Sequence, residues 1–201
     1  MLIGLIRHGL TDWNAAGRIQ GRSDIPLNDE GRRQAAVLAR RLGEETYRWD
    51  FVISSGLLRA QETAEIIAAQ LKLPLLEADS RLAERGFGQV EGLTQAEREE
   101  RFGAEWNTQD IGQEKLEALE ERALSFIDDL EVKYPDSHIL VVTHGGLLAQ
   151  LYAALYKGRH TERIGNLSLT VLEKRGEQWE PLIYNCTKHL LEEPSADPRT
   201  S

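Results

Sequence analysis

Two histidines and two arginines of the chain each follow an apolar run. Arg7 and His8 come directly after a short apolar run at the start of the chain, and His144 follows a β-branched run. Arg59 lies a few residues beyond a third apolar run. Arginine offers a rigid fork of donors that matches phosphate oxygens, and a neutral imidazole is a competent nucleophile toward phosphorus. These residues therefore indicate phosphoryl chemistry, provided that the fold brings them together.

A candidate proton donor lies in the glycine-rich segment LAERGFGQVEG. A carboxyl group held beside a bound phosphate dianion is favoured in its protonated form, so Glu84 can protonate a departing oxygen and later deprotonate a water molecule. Glu91 in the same segment is the alternative donor. Gly9, directly after His8, lets the backbone turn sharply and lets a ligand approach closely.

Strands alternate with helices along the chain, which predicts an α/β sandwich with a largely parallel central sheet. Strands are predicted over 2–6, 51–55 and 138–143, helices after Asn28, Gly56 and Gly146, and a hairpin around Arg175-Gly176-Glu177. In the helix after Gly56, the residues expected to face inward are Leu58, Thr63, Ile66, Ile67 and Leu71. Because the carboxyl ends of parallel strands share one edge of a sheet, where ligands bind, we expect the two histidines and two arginines to meet there.

The length of 201 residues suits one domain, predicted over 1–190, followed by a loose polar tail over 191–201. No apolar run approaches the length of roughly 18 residues that a membrane span needs, and a strand at Leu2 leaves no room for a signal peptide. A net charge of −9 argues against nucleic acid as a partner. The lone Cys186 suits a reducing compartment. We therefore expect a cytoplasmic protein.

Four segments carry the groups described above, in the order LIRHGLTDWNAAGRIQGRSDIPLNDEGRRQA, SSGLLRAQETA, LAERGFGQVEG and VVTHGG. Together they resemble the signature segments of the histidine phosphatase (phosphoglycerate mutase-like) superfamily, and the similarity extends over roughly residues 2–190. The resemblance implies a three-layer α/β sandwich with a six-stranded, mostly parallel central sheet. It also implies an enzyme that needs neither a metal nor a cofactor.

The resemblance assigns roles by position. His8 would be the phospho-accepting nucleophile, Glu84 the proton donor, and the phosphate pocket would consist of Arg7, Arg59 and His144. The residues expected to touch the phosphate or the substrate are Asn14, Gln20, Gly21 and Gly145. The chain departs from the family pattern at Leu10, where a polar residue is usual, and at GQEK (residues 112–115), where many relatives read GGES.

A metal site is not expected, because the remaining histidines lack any paired ligand spacing. These histidines are His138, His160 and His189.

The substrate is expected to be a small phosphorylated metabolite, bound by a monomer or a homodimer. A cover segment, residues 92–115, is shorter than the corresponding insertion of the family's mutases, so water should reach the phosphoenzyme and hydrolysis should prevail. Its Phe102 and Trp106 either contact the substrate or pack the cover onto the sheet. Two alternatives stay open: a phosphoglycerate mutase-type transferase and a phospho-ligand binding protein without activity.

Overall fold

The central sheet has five strands in the computed structural model, which describes residues 1–191. They are β1 (Leu2–Arg7), β2 (Phe51–Ser54), β3 (His138–Thr143), β4 (Leu169–Arg175) and β5 (Gln178–Cys186). Their order across the sheet is β2-β3-β1-β4-β5. β1, β2 and β3 run parallel, β4 is antiparallel to β1, and β5 is antiparallel to β4. The β4–β5 hairpin turns at Gly176, where φ is +59°, as the sequence predicts.

The expected sixth strand is reduced to a single parallel bridge between Leu75 and Val52. Val52 N donates to Pro74 O, and Leu76 N donates to Val52 O, both at 2.9 Å. Pairing does not extend back along the chain, because Pro74 has no N–H to donate to a ladder. The prediction of a mostly parallel sheet is confirmed, but the described chain has five strands and not six.

Helices cover both faces of the sheet, as the three-layer prediction requires. They are α1 (Asp12–Ala15), α2 (Asp29–Glu44), α3 (Leu58–Leu71), α4 (Gln95–Phe102), α5 (Leu116–Lys133) and α6 (Gly145–Tyr156). α2 and α3 bury their apolar sides in the core on one face of the sheet, whereas α5 and α6 pack in the core on the other face. No helix in the described part of the chain is long and apolar enough to cross a membrane. Apart from Leu191, the predicted C-terminal tail lies outside the described residues.

Of the two helices on the first face of the sheet, α2 buries the residues that the sequence predicts, whereas α3 departs from the prediction at one residue. Asn28 caps α2 by accepting a hydrogen bond from Gly31 N, and the apolar residues of α2 are buried. In α3, Thr63 and Ile67 are buried as expected, and Ile66 and Leu71 are half-buried. Leu58 was wrongly predicted to face inward: its exposed fraction is 43%, and Arg59 is buried instead. The inward face of α3 is set by the bonds of the Arg59 guanidinium, described below.

Candidate active site

The β1 strand delivers His8 to the carboxyl edge of the sheet. His8 N donates to Thr143 O at 2.9 Å, so the residue continues the pairing of β1 with β3. Its ring nitrogen Nδ1 lies 2.7 Å from Gly9 O. Because a carbonyl oxygen only accepts hydrogen bonds, Nδ1 must carry the proton in this contact. The lone pair of the neutral ring is therefore on Nε2, which is the nitrogen available for attack.

The surroundings of His8 keep the ring neutral. Its exposed fraction is 2%, and this burial lowers the pKa of His8 well below its usual value. The positive charges of Arg7 and Arg59 lower the pKa further, and only the hydrogen bond to Gly9 O acts in the opposite direction. A neutral imidazole at neutral pH is the state that nucleophilic attack on phosphorus needs.

His144 lies beside His8, with ring centroids 5.1 Å apart. Its Nε2 is 2.7 Å from Ser55 Oγ, whereas its Nδ1 is buried without a partner among the described residues. In the tautomer in which Ser55 donates to Nε2, Nδ1 carries an N–H that needs an acceptor. Burial, followed by the charges of His8, Arg59 and Arg7, lowers the pKa of His144 well below its usual value.

The two arginines are held by main-chain carbonyls. Arg7 Nη1 donates to Ile164 O at 2.7 Å, and the Arg59 guanidinium donates to Ser23 O and Gly21 O, both at 2.7 Å. Burial lowers the pKa of Arg7 to about 10, although the Glu84 carboxylate opposes the shift. Arg7 therefore remains a cation at neutral pH.

Three buried nitrogen atoms at this edge of the sheet lack an acceptor in the described part of the chain. They are Arg7 Nε, Arg59 Nε and His144 Nδ1. A buried N–H left without a partner costs about 1–3 kcal/mol, so such groups are retained where a ligand completes them. Phosphate oxygens are the acceptors that guanidinium groups match best, so a phosphoryl group bound against His8 is the natural acceptor for the two guanidinium nitrogens.

Glu84 reaches the site across the N-terminus of α6. Its Oε2 accepts from Gly146 N at 3.0 Å, and its Oε1 accepts from Leu147 N at 3.1 Å and from Arg85 N at 2.8 Å. A Cβ at position 146 would come within 2.5 Å of Glu84 Oε1, so the close approach requires glycine there. Oε2 accepts one bond where Oε1 accepts two, so Oε2 is the oxygen with room for a proton.

Glu91, the alternative donor, has a different task. Its carboxylate accepts hydrogen bonds from Arg22 N at 3.1 Å, from Ser23 N and Oγ at 3.1 and 3.0 Å, and from Phe87 N at 2.9 Å. These bonds fix the loop whose carbonyls hold the guanidinium of Arg59. Glu84 thus stays the predicted proton donor, because its carboxylate bonds to the residues that follow His144 whereas the Glu91 carboxylate bonds to this loop.

The four predicted contact residues surround the same edge. Asn14 Oδ1 accepts from Thr11 N and from Asn166 Nδ2, both at 3.3 Å, which leaves the Asn14 amide nitrogen for a ligand. Gln20 is buried and accepts from Thr11 Oγ1 at 2.9 Å, which leaves its Nε2. Gly21, with φ at +53°, supplies a carbonyl to Arg59. Gly145 begins α6, and a Cβ there would lie 3.2 Å from Arg7 Nε.

Comparison with known proteins places this geometry in a family. The model of the histidine phosphatase superfamily (branch 1) matches residues 3–187. The chain belongs to that superfamily. Membership confirms the family that the sequence predicts, and phosphatases among the relatives and the solved structures confirm the enzyme class, a histidine-type phosphatase.

Relatives of this histidine phosphatase match over nearly their whole length. An uncharacterized phosphatase, PhoE, of Bacillus subtilis (strain 168) is 36% identical over 92% of this chain and 95% of its own. A metal-independent phosphoserine phosphatase of Arabidopsis thaliana is 36% identical over 94% and 82% of the two chains. Phosphoglycerate mutases are also among the relatives.

A mycobacterial glucosyl-3-phosphoglycerate phosphatase of known structure superimposes with a TM-score of 0.82 at 28% identity. The superposition covers 92% of this chain and 99% of that one. A phosphoglycerate mutase-like fold is thereby confirmed for this histidine phosphatase.

The cover segment of this phosphatase consists of α4 and a short 3-10 helix, Trp106–Thr108, joined by loops. Thr94 and Glu97 form a capping box at the start of α4. Arg98 lies 5.1 Å above the ring of Trp106, and Arg101 lies 5.2 Å above the ring of Phe102. Both rings are half-buried beside arginines of α4 and lie outside the two core clusters on the sheet, so the choice between substrate contact and packing stays a prediction.

Two residues that contact the histidines were missed by sequence reasoning. Ser55 bonds to His144, and Asn166 Nδ2 donates to His8 O at 3.0 Å and to Gly9 O at 3.2 Å. Ser55 follows a strand, so the rule that found the histidines could have found it. Asn166 precedes β4 and carries no such signal.

Metal independence remains a prediction. Within residues 1–191, no three His, Cys, Asp or Glu side chains are grouped so that they could hold a metal ion.

Proposed function

We propose that the protein hydrolyses phosphate monoesters of small metabolites through a phosphohistidine on His8, without a metal or a cofactor. The observation that supports the proposal is that an unprotonated imidazole nitrogen and buried nitrogen atoms without an acceptor lie at the same edge of the sheet. Nε2 of His8 is unprotonated because Nδ1 bonds to Gly9 O, and the unpartnered nitrogens of Arg7, Arg59 and His144 lie at the same edge of the sheet.

In the first step, His8 Nε2 attacks the phosphorus atom of the ester, and the bond from phosphorus to the ester oxygen breaks. Glu84, protonated on Oε2, gives its proton to that oxygen, so the leaving group departs as an alcohol. The guanidinium groups of Arg7 and Arg59 and the N–H of His144 stabilise the charge on the transferring group.

In the second step, water resolves the phosphoenzyme. The Glu84 carboxylate takes a proton from a water molecule, whose oxygen attacks phosphorus while the bond from phosphorus to His8 Nε2 breaks. Inorganic phosphate leaves, His8 is neutral again, and Glu84 is protonated for the next cycle. The same carboxyl group thus serves as acid and then as base.

Two features support hydrolysis without a metal. Arg7 and Arg59, which are held by main-chain carbonyls, supply positive charge to stabilise the transition state. In addition, a relative bears the name of a metal-independent phosphatase. A mutase-type transfer would need the phosphoenzyme to be shielded from water, and the cover segment is short for that task.

An assay on p-nitrophenyl phosphate with and without a chelator tests the proposal. We expect the same rate in both and no detectable turnover by His8→Ala. Inhibition by the chelator would contradict metal independence, and a folded but inactive wild type would indicate a binding protein. Labelled ester with a phosphorylated acceptor present should release label as free phosphate; label on the acceptor would indicate a mutase.

The natural substrate requires a panel of phosphate esters. Phosphoserine and phosphoglycerate derivatives belong in it, because relatives are named for such substrates. Cytoplasmic location, a monomeric or homodimeric state, and the absence of nucleic-acid and membrane partners belong to the same proposal.

A further inference from the structure

The main chain of Glu84 is held from outside the site by two arginine side chains. Arg22 Nε and Arg122 Nη2 both donate to Glu84 O, each at 3.2 Å. Arg122 Nη1 also donates to Arg81 O, three residues earlier in the same segment. The loop that carries the proposed proton donor is therefore bonded to α5 through one guanidinium.

A single carboxylate, that of Glu114, orients this guanidinium. Arg122 Nε donates to Glu114 Oε1 at 2.8 Å, and Arg122 Nη2 donates to Glu114 Oε2 at 3.0 Å. The two side chains are only 16% and 15% exposed. A bidentate pair of this kind fixes the plane of the guanidinium as well as its position.

Glu114 is also bonded to the donor loop directly. Its Oε2 accepts from Gly86 N at 3.1 Å, its own N donates to Gly86 O at 2.8 Å, and its carbonyl accepts from Arg85 Nε at 2.9 Å. Arg22 Nη2 lies 3.5 Å from Glu114 Oε1, so both arginines that hold Glu84 O also meet this carboxylate.

The Glu114 carboxylate is charged at neutral pH. Burial acts to raise the pKa of Glu114, but the hydrogen bonds from Arg122 and Gly86 and the charge of Arg22 outweigh it and lower the pKa. The carboxylate makes no contact with the predicted phosphate-binding groups among the contacts described above. Its bonds lead instead to the loop of Glu84, although the charge of its partner Arg122 also lowers the pKa of His144.

We propose that Glu114 and Arg122 are positioning residues that fix the loop of Glu84 and thereby set the efficiency of proton donation to the leaving group. The inference rests on the proposed function. Its location has a structural consequence: Glu114, at the end of the cover segment, and Arg122, in α5, both hold the acid, so the cover contributes to catalysis through the position of Glu84.

The test compares two leaving groups. A p-nitrophenolate departs without a proton, whereas the alkoxide of an alkyl ester such as glycerol 2-phosphate needs one. The parameter kcat/KM is the right measure, because it covers transfer to His8 and excludes the later hydrolysis of the phosphoenzyme. Glu84→Gln sets the scale, since loss of a general acid costs on the order of 10²–10⁴ in rate.

For Glu114→Gln we expect kcat/KM on the alkyl ester to fall at least about 10-fold more than on the aryl ester, a fraction of the general-acid contribution. Arg122→Lys keeps the charge but loses the bidentate pair, and should show the same imbalance. The control is Glu131→Gln on α5, the helix that carries Arg122. The carboxylate of Glu131 pairs with Lys174 at 2.7 Å. This variant should leave the ratio of the two rates unchanged.

Equal losses of kcat/KM on the two esters would overturn the inference, because a residue with a merely structural role lowers both values alike. Unchanged rates on both would overturn it as well. If Glu114→Gln does not fold, Arg122→Lys decides by the same comparison. Failure of the proposed function is distinguishable, because the wild type would then form no phosphohistidine and the Glu84→Gln variant would show no imbalance.

Discussion

At the scale of single residues, the site depends on where protons and charges are held. The carbonyl of Gly9 fixes the proton of His8 on Nδ1, and burial together with the charges of Arg7 and Arg59 keeps the ring from gaining a second one. The types of these residues were predictable from the sequence, because each follows an apolar run. The hydrogen bonds that fix their protonation were not, because they involve main-chain carbonyls and residues such as Ser55 that sequence spacing does not connect.

Arg7→Ala should reduce kcat/KM on p-nitrophenyl phosphate by at least several hundred-fold, since an arginine aimed at a transferring phosphoryl group is worth on the order of 10³–10⁵ in rate. The control is Arg33→Ala, which removes an exposed arginine paired with Glu30 on α2. Circular dichroism should show that both variants are folded. Near-normal turnover by Arg7→Ala would count against the assignment of the phosphate pocket.

The acidic limb of the pH profile of kcat/KM on an alkyl phosphate should lie below the ordinary histidine range. Because burial and the charges of Arg7 and Arg59 lower the pKa of His8, protonation of the nucleophile should reduce the rate only below about pH 6.5, the ordinary histidine value. A rate that already falls as the pH drops from about 8 to about 7 would contradict a neutral His8.

At the scale of elements, strand ends and loops deliver the side chains to one edge of the sheet. The alternation of strands and helices was readable from apolar runs and from the cap at Asn28. The inward face of α3 was not, because periodicity assigned Leu58 to the core while the carbonyls of Gly21 and Ser23 hold Arg59 there instead. A charged residue is placed by bonds that hydrophobic periodicity does not report.

Gly21→Ala tests how strongly the loop positions Arg59. With φ at +53°, an alanine is strained by about 1–2 kcal/mol, and its Cβ would also collide with the Glu91 carboxylate. We expect kcat/KM to fall about 10-fold or more, since small displacements of a positioned group are costly. Gly17→Ala is the matched control: φ is +66°, but its Cβ meets nothing within 4 Å. The backbone of Gly17→Ala should be strained by a similar amount, yet its kcat/KM should stay within about two-fold of the wild-type value. Equal losses of kcat/KM in the two variants would contradict the positioning role.

At the scale of the whole molecule, a chain with a net charge of −9 keeps a cationic pocket inside it. The pocket is possible because main-chain carbonyls hold the two arginines and burial keeps the two histidines neutral. Composition predicted the class of protein and the family pattern predicted the layers. The number of strands was not predictable from either, since at this edge of the sheet the segment after Pro74 forms only a single bridge with β2 among the described residues.

The free energy of unfolding should fall as the pH is lowered from about 6.5 to about 5. The folded-state pKa values of His8 and His144 lie well below the ordinary value, so the unfolded chain takes up protons in this window and the folded chain does not. Each buried neutral histidine then contributes a slope of about 1.4 kcal/mol per pH unit.

Urea denaturation of the wild type and of a His8→Asn, His144→Asn double variant measures this slope. The variant should have a shallower slope, although His189, with its pKa lowered to about 4 by burial and by Arg41, keeps part of it. Buried carboxylates such as Glu114, whose pKa is also lowered, lose their contribution only at lower pH. An identical slope in both proteins would show that the two site histidines are not held neutral.

The most direct test of the phosphohistidine mechanism is to mix the enzyme with a ³²P-labelled ester, quench the reaction rapidly and map the labelled peptide. We predict one acid-labile, base-stable phosphoryl group on the His8 ring, which is absent in His8→Ala and disappears as free phosphate accumulates. Label on another residue, or hydrolysis without any labelled enzyme, would contradict the account.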